Sequence, residues 1–145
     1  MGKQTDVGNI NTLIRTLSGH TDYVNSVCIS SDGSTVVSGS VDETIKIWSI
    51  SGDLIRTLSG HTDVVNSVCI SSDGSTVVSG SDDRTIKIWS TRGALIRTLS
   101  GHTDGVNSVC ISSDGSTVVS GSIDKTIKIW SISCLLYTSP SPRDS

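Results

Sequence analysis

The sequence predicts an all-β fold: three copies of one small four-stranded antiparallel sheet, stacked on one another. Three observations lead there. GHTD recurs at Gly19, Gly60 and Gly101, a step of 41 residues that Trp48, Trp89 and Trp130 also keep, and a fixed period of this length marks a repeat architecture. Laid over one another, Leu13–Asp53, Leu54–Ala94 and Leu95–Leu135 differ in only seven of 41 columns, so one supersecondary unit is built three times. Within each unit, short runs rich in Val, Ile and Thr alternate with Gly, Ser and Asp clusters, and nowhere does the roughly 3.6-residue apolar period of a helix appear.

In the first copy the elements follow in order. LIRTL, Leu13–Leu17, reads as a strand; a second spans Val24–Ser30, a third Thr35–Ser40 and a fourth Thr44–Ser49. Between the second and third lies SSDGS, where Asp32 and Gly33 supply the positive-φ geometry of a tight hairpin turn. Between the third and fourth lies VDET, whose Asp42 can bond its own backbone in an Asx-type turn. A sheet this small cannot bury its faces alone, so the copies must stack. Phe is absent and Trp is limited to three residues, so the core must rest mainly on Val and Ile.

Composition narrows the function classes. The 34% hydrophobic content is low against the usual figure of about 45–50%, but Ser, Thr and Gly replace it rather than charge, so disorder is not indicated. A net charge of −3 argues against a nucleic-acid partner. No window approaches the ~20 apolar residues of a membrane span, and the polar start MGKQTDVGNI has no signal-peptide core. Asp6 stands where a myristoylation motif needs Ser or Thr. The expected setting is the cytoplasm, with no membrane contact. The expected division is a flexible segment 1–11, repeats over 12–133, and a non-repeat tail 134–145.

The order Gly-His, VNSV, SSDG, SGSxDxTIKIW at a 41-residue period resembles the WD40 repeat of β-propellers, three times over. Two departures are a closing Trp-Ser (Trp48-Ser49, Trp89-Ser90, Trp130-Ser131) where the family name expects Trp-Asp, and SSDG for the commoner SPDG; neither breaks the strand pattern. The resemblance implies one blade per repeat in an open or partial propeller, with LIRTLS forming the outer strand of the preceding blade. It also implies a buried hydrogen-bond chain in each blade. Its members would be His20, Ser38, Asp42 and Trp48; then His61, Ser79, Asp83 and Trp89; then His102, Ser120, Asp124 and Trp130, with Ser40 able to replace Ser38 on the same strand face.

Ser, His and Asp are also the ingredients of a nucleophilic triad. Catalysis needs one activated site, however, and here the set occurs three times at identical spacing with no G-x-S-x-G elbow. Metal binding is equally poorly supported, because Cys28, Cys69 and Cys110 sit one per repeat without a C-x2-C pair. Each lies in VCIS, mid-strand, as a small buried hydrophobe, while Cys134 near the end is expected to be exposed. Neither enzyme activity, cofactor nor metal is expected.

Three of the seven variable columns fall at one end of the blades: Tyr23, Val64, Gly105; Val41, Asp82, Ile123; and Glu43, Arg84, Lys125. The other four fall in the loop at the opposite end. Variation on a constant framework fits a rim that recognises another protein or peptide, and equally fits drift in tolerant loops. The expected function is a non-catalytic protein-interaction scaffold. Near-identical copies also resemble the sensor regions of multidomain NTPases of the innate-immunity and incompatibility kind, although no G-x-x-x-x-G-K-[ST] loop is present.

Propellers usually close with about four to eight blades, so three leave a ring open. Two chains joined head to tail could build six blades, each lending its first strand to the other's last blade; this would be a homo-oligomer through open blade edges. A fragment of a larger propeller protein is the simpler expectation. After Ser133 another copy is due, yet CLLYTSPSPRDS follows, and Pro140 and Pro142 stop a strand there although Leu136 and Tyr137 could begin one.

Overall fold

A computed structural model describes residues 11–132, and the architecture is all-β. Among the described residues eleven strands form three antiparallel sheets. The first blade comprises β1 (Val24–Ile29), β2 (Thr35–Ser40), β3 (Thr44–Ser49) and β4 (Leu54–Ser59), hydrogen-bonded in that order. The second comprises β5 (Val65–Ile70), β6 (Thr76–Ser81), β7 (Thr85–Ser90) and β8 (Leu95–Ser100). The third contains β9 (Val106–Ile111), β10 (Thr117–Ser122) and β11 (Ile127–Ser131) among the described residues; the chain after Ile132, Cys134, Leu136 and Tyr137 included, lies outside them. Among the described residues no helix is long and apolar enough to cross a membrane.

LIRTLS behaves as an outer strand where it has an edge to join: β4 pairs with β3, Ile45 opposite Leu58, and β8 with β7, Ile86 opposite Leu99. The expected strand Leu13–Leu17 is not formed, although its sequence is the same. Among the described residues no sheet pairs with it, so its N–H and C=O groups have no ladder to enter, and strand structure needs that partner.

The β1–β2 turn also differs in one detail from expectation. Only Gly33 adopts positive φ, at 76°; Asp32 instead closes the turn through its carboxylate, which accepts from the Ser30 hydroxyl at 2.7 Å and the Ser34 N–H at 2.9 Å. These bonds, with that of the Ser34 hydroxyl, hold its carboxyl down to about 2. In the β2–β3 turn the Thr44 N–H donates to Asp42 Oδ1 at 2.9 Å, an Asx turn. The following residue, Glu43, sits at φ 75°, with Arg84 at 76° and Lys125 at 75° in the other copies.

The core lies between blades. Val37, Ile45, Ile47 and Leu58 of the first pack on Val65, Val68, Val77 and Trp89 of the second. Val78, Ile86, Ile88 and Leu99 meet Val106, Val109, Val118 and Ile132 in the next layer. Val and Ile thus supply nearly all of it. The innermost strands are also joined by polar bonds: the Val68 N–H donates to Ser26 Oγ at 3.0 Å, and Val109 N–H to Ser67 Oγ at 3.1 Å. Asn25 Nδ2 donates to the Val65 carbonyl at 3.2 Å, and Asn66 Nδ2 to that of Val106 at 3.0 Å. The Ser31 and Ser72 hydroxyls donate to the Ser72 and Ser113 carbonyls, both at 2.6 Å.

Cys28 and Cys69 lie partly buried on β1 and β5, and burial pushes their thiols up to about 11 and about 12. Cys110 is exposed, contrary to expectation, because among the described residues no blade packs on β9 as β5 packs on β1 and β9 on β5.

Candidate functional site

Each copy assembles four side chains from four places in its blade. The histidine comes from the loop entering the innermost strand, the serine from the second strand, the aspartate from the tight turn after it, and the tryptophan from the third strand. In the second copy His61 Nδ1 lies 2.8 Å from Asp83 Oδ2, His61 Nε2 2.7 Å from Ser79 Oγ, and Trp89 Nε1 2.9 Å from the same oxygen. The first copy repeats this with His20–Asp42 at 2.9 Å, His20–Ser38 at 2.6 Å and Trp48–Ser38 at 3.0 Å. In the third, His102–Asp124 and His102–Ser120 are both 2.8 Å and Trp130–Ser120 is 3.0 Å.

Proton bookkeeping fixes the direction of the chain. Indole N–H can only donate, so Ser79 Oγ accepts from Trp89, and the Asp83 carboxylate can only accept, so His61 Nδ1 carries a hydrogen. In the neutral ring Nε2 is then bare and accepts from the Ser79 hydroxyl. Burial is the largest influence on His61 and disfavours its cation, outweighing the pull of Asp83, so its basicity is lowered.

The carboxylates take more bonds than histidine gives. Burial works to raise Asp42, but the Thr44 hydroxyl, His20, and the Thr21 and Thr44 N–H groups together prevail and hold it well below the usual carboxylate range. The Thr44 hydroxyl is 2.6 Å from Asp42 Oδ1, and Thr85 and Thr126 repeat that contact at 2.6 Å. These threonines are a fifth member that the sequence reading missed, though the invariant Asp-x-Thr spacing carried the signal. In the VNSV word, the Asn and Ser make bonds between blades.

Ser40 does not substitute for Ser38. Its hydroxyl donates to the Tyr23 carbonyl at 2.8 Å and accepts from the Asp42 N–H at 3.0 Å, so it clamps the loop rather than the indole. The connectivity Ser–His–Asp is that of a triad. Yet Ser79 is fully buried and its oxygen is already engaged by Trp89, so it has no path to a substrate carbonyl.

Three of the seven variable columns gather at one end. The Val41 N–H donates to the Tyr23 carbonyl at 2.9 Å, Asp82 to Val64 at 2.9 Å, and Ile123 to Gly105 at 3.0 Å, setting two columns side by side in every blade. Tyr23, Ile123, Glu43, Asp82, Arg84 and Lys125 are exposed, whereas Val41 and Val64 are half-buried and Gly105 is buried. Asp82 also accepts from Asn66 Nδ2 at 2.7 Å. No group of three or more His, Cys, Asp or Glu suited to a metal occurs among the described residues.

With this geometry in place, the relatives can be weighed. The chain is 48% identical over 40 residues to nuclear distribution protein PAC1 of Candida albicans, a stretch covering 28% of this chain and 8% of that protein. It is 44% identical over 46 residues to small ribosomal subunit protein RACK1 of Caenorhabditis elegans (32% and 14%). It is 40% identical over 52 residues to the NAD(+) hydrolase ApTIR of an Actinoplanes species (32% and 7%). The chain thus matches only a small part of the length of these curated relatives. The WD domain, G-beta repeat model matches three consecutive segments, 11–49, 52–90 and 93–131, which together are most of the sequence, and the chain belongs to the WD40 repeat family.

Proposed function

We propose that this chain is a non-catalytic scaffold, part of a larger propeller protein, that holds a protein or peptide on the rim formed by Tyr23, Val41, Glu43, Val64, Asp82, Arg84, Ile123 and Lys125. The observation that carries the reading is the backbone pairing of Tyr23 with Val41, Val64 with Asp82, and Gly105 with Ile123. It sets two of the varying columns side by side on one surface while the residues beneath them stay the same. Such an arrangement lets size and charge change without disturbing the core. Gly105 is best seen as a spacer, since it lies against Asp82 and offers no side chain.

In this reading the buried histidine chains are structural: they fix the loop and turn that display the rim. A reducing, cytoplasmic setting accords with free thiols at Cys28, Cys69 and Cys110. The test is affinity capture with the full chain and with Tyr23→Ala, Glu43→Ala and Arg84→Ala together, folding being checked by circular dichroism. Loss of the captured partners on the folded triple variant is expected. An unchanged partner set would overturn the rim.

A further inference from the structure

Two of the variable columns run together into one strip across the blades. Within a blade the backbone bonds of Tyr23 with Val41, Val64 with Asp82, and Gly105 with Ile123 join them. Between blades the side chains take over. A Cβ built on Gly105 would lie 2.7 Å from Asp82 Oδ1 and 3.3 Å from Asp82 Cα, so the second column of one blade abuts the first column of the next. Val64 holds the corresponding place beside Val41. The order along the strip is therefore tyrosine, valine, valine, aspartate, glycine, isoleucine.

Asp82 is the charged member, and its neighbours are matched to it. Its carboxylate lies in the room that a side chain at position 105 would take, and glycine there leaves that room open. Asn66 Nδ2 donates to Asp82 Oδ1 at 2.7 Å and to the Val106 carbonyl at 3.0 Å, tying the carboxylate to the junction. In the first blade the same asparagine, Asn25, donates to the Val65 carbonyl at 3.2 Å, and the hydrocarbon side chain of Val41 offers it no acceptor. Asp82 and Gly105 are thus a paired exchange for Val41 and Val64, one that turns an apolar junction into one holding an oriented carboxylate. Among the described residues Asp82 Oδ2 accepts no hydrogen bond, and no Lys or Arg, the neighbouring Arg84 included, forms an ion pair with it. The residue is exposed. On one side of it along the strip Val64 is half-buried, and on the other, beyond the glycine, Ile123 is 51% exposed.

We propose that Asp82 anchors a basic side chain of the partner, which lays an extended peptide segment along the strip with a Lys or Arg on Asp82 and apolar residues on Val64 and Ile123. This rests on the rim reading and narrows it to one class of partner. Charge complementarity selects the occupant. A carboxylate already held by one amide loses little further freedom when a cation binds, and the charge-assisted bond fixes the register of the peptide. An ammonium or guanidinium on Oδ2 leaves the Asn66 bond to Oδ1 intact. The apolar members of the strip give the flanking residues of the peptide a surface to cover.

Short random peptides displayed on phage and selected on the 145-residue chain test it. The selected peptides are expected to share a Lys or Arg flanked by apolar residues. Asp82→Asn keeps the shape and an oxygen for Asn66 but removes the charge, and should weaken the best of them at least about 10-fold. The double variant Asp82→Val, Gly105→Val gives this junction the residues of the Val41–Val64 one. It should keep the circular dichroism of the unchanged chain and select peptides that lack the basic residue. Peptides with no shared Lys or Arg, or an affinity that Asp82→Asn leaves unaltered, would overturn the inference, and the rim would stand if Tyr23→Ala, Glu43→Ala and Arg84→Ala together still weakened them. Indifference to that triple variant with sensitivity to Asp82→Asn would overturn the wider rim and uphold the carboxylate. Selection of no peptide would overturn both.

Discussion

Gly80 on β6 faces Val106 on β9 so closely that a Cβ built on the glycine would lie 2.7 Å from Val106 Cγ1. Real Cβ atoms do not approach a carbon at that distance, so Gly80→Ala must push the two blades apart. Overpacking of this kind costs about 1–3 kcal/mol. Urea unfolding should show that loss, and Val106→Ala should recover part of it in the double variant, as expected for residues in contact. Strictly additive effects would show that the blades separate without strain.

Ser79, fully buried, joins one donor, the Trp89 indole N–H, to one acceptor, His61 Nε2. Removing its hydroxyl leaves the Trp89 indole N–H without its acceptor and His61 Nε2 without its donor. Each stranded buried group costs about 1–3 kcal/mol, so Ser79→Ala should lower stability by more than Ser72→Ala, whose hydroxyl lies on the surface. Denaturant titration of both variants decides the matter; equal losses would mean that the chain of bonds contributes nothing beyond an exposed hydroxyl.

Much of this was written in the sequence, and the exceptions share one cause. The 41-residue period and the period-2 runs gave the strands, because both are local properties. Leu13–Leu17 and Leu54–Leu58 are identical in sequence, yet only the second is a strand, since a strand exists where another edge accepts it. Cys69 and Cys110 sit in identical words but differ in burial, because β9 packs on β5 while among the described residues nothing packs on β9 in the same way. Ser38 and Ser40 project from the same face of β2, and alternation cannot rank them; only the 3.0 Å approach of the Trp48 indole does. These misses concern what stands next to a segment rather than what the segment is, whereas Asp32, which does not take positive φ, and the Asp42–Thr44 bond are details inside single turns.

The third variable column combines a free side chain with a constrained backbone. Glu43, Arg84 and Lys125 differ in size and sign, yet all hold φ near 75°, where a residue with a Cβ is disfavoured by about 1–2 kcal/mol. Glycine avoids that cost but loses more entropy on folding. Arg84→Gly should therefore raise the melting temperature modestly, and Arg84→Val, β-branched, should lower it. If both variants melt together, the turn has relaxed away from positive φ.

Stability should fall in two stages on acidification. His61 binds a proton less readily in the folded chain than at its usual value of 6.5, chiefly because burial disfavours the cation. Protonation would also place a second N–H against the Ser79 hydroxyl, whose own hydrogen would be left with the Lys87 carbonyl, 3.5 Å away. The unfolded chain therefore holds more protons just below that pH, and stability must rise with pH through this window. The histidine contribution is complete above 6.5 and is lost as pH drops beneath it. Asp42, Asp83 and Asp124 are held below the usual 3.8. Their contribution is present above 3.8 and is lost only on further acidification. Thermal melts across this range should give a plateau above 6.5, a decline below it and a steeper fall beneath 3.8. Proton NMR of the histidine rings locates the first stage, with His61 titrating below 6.5 in the folded chain. A midpoint above that value would reverse the sign of the slope and remove the neutral imidazole on which the bond chain depends.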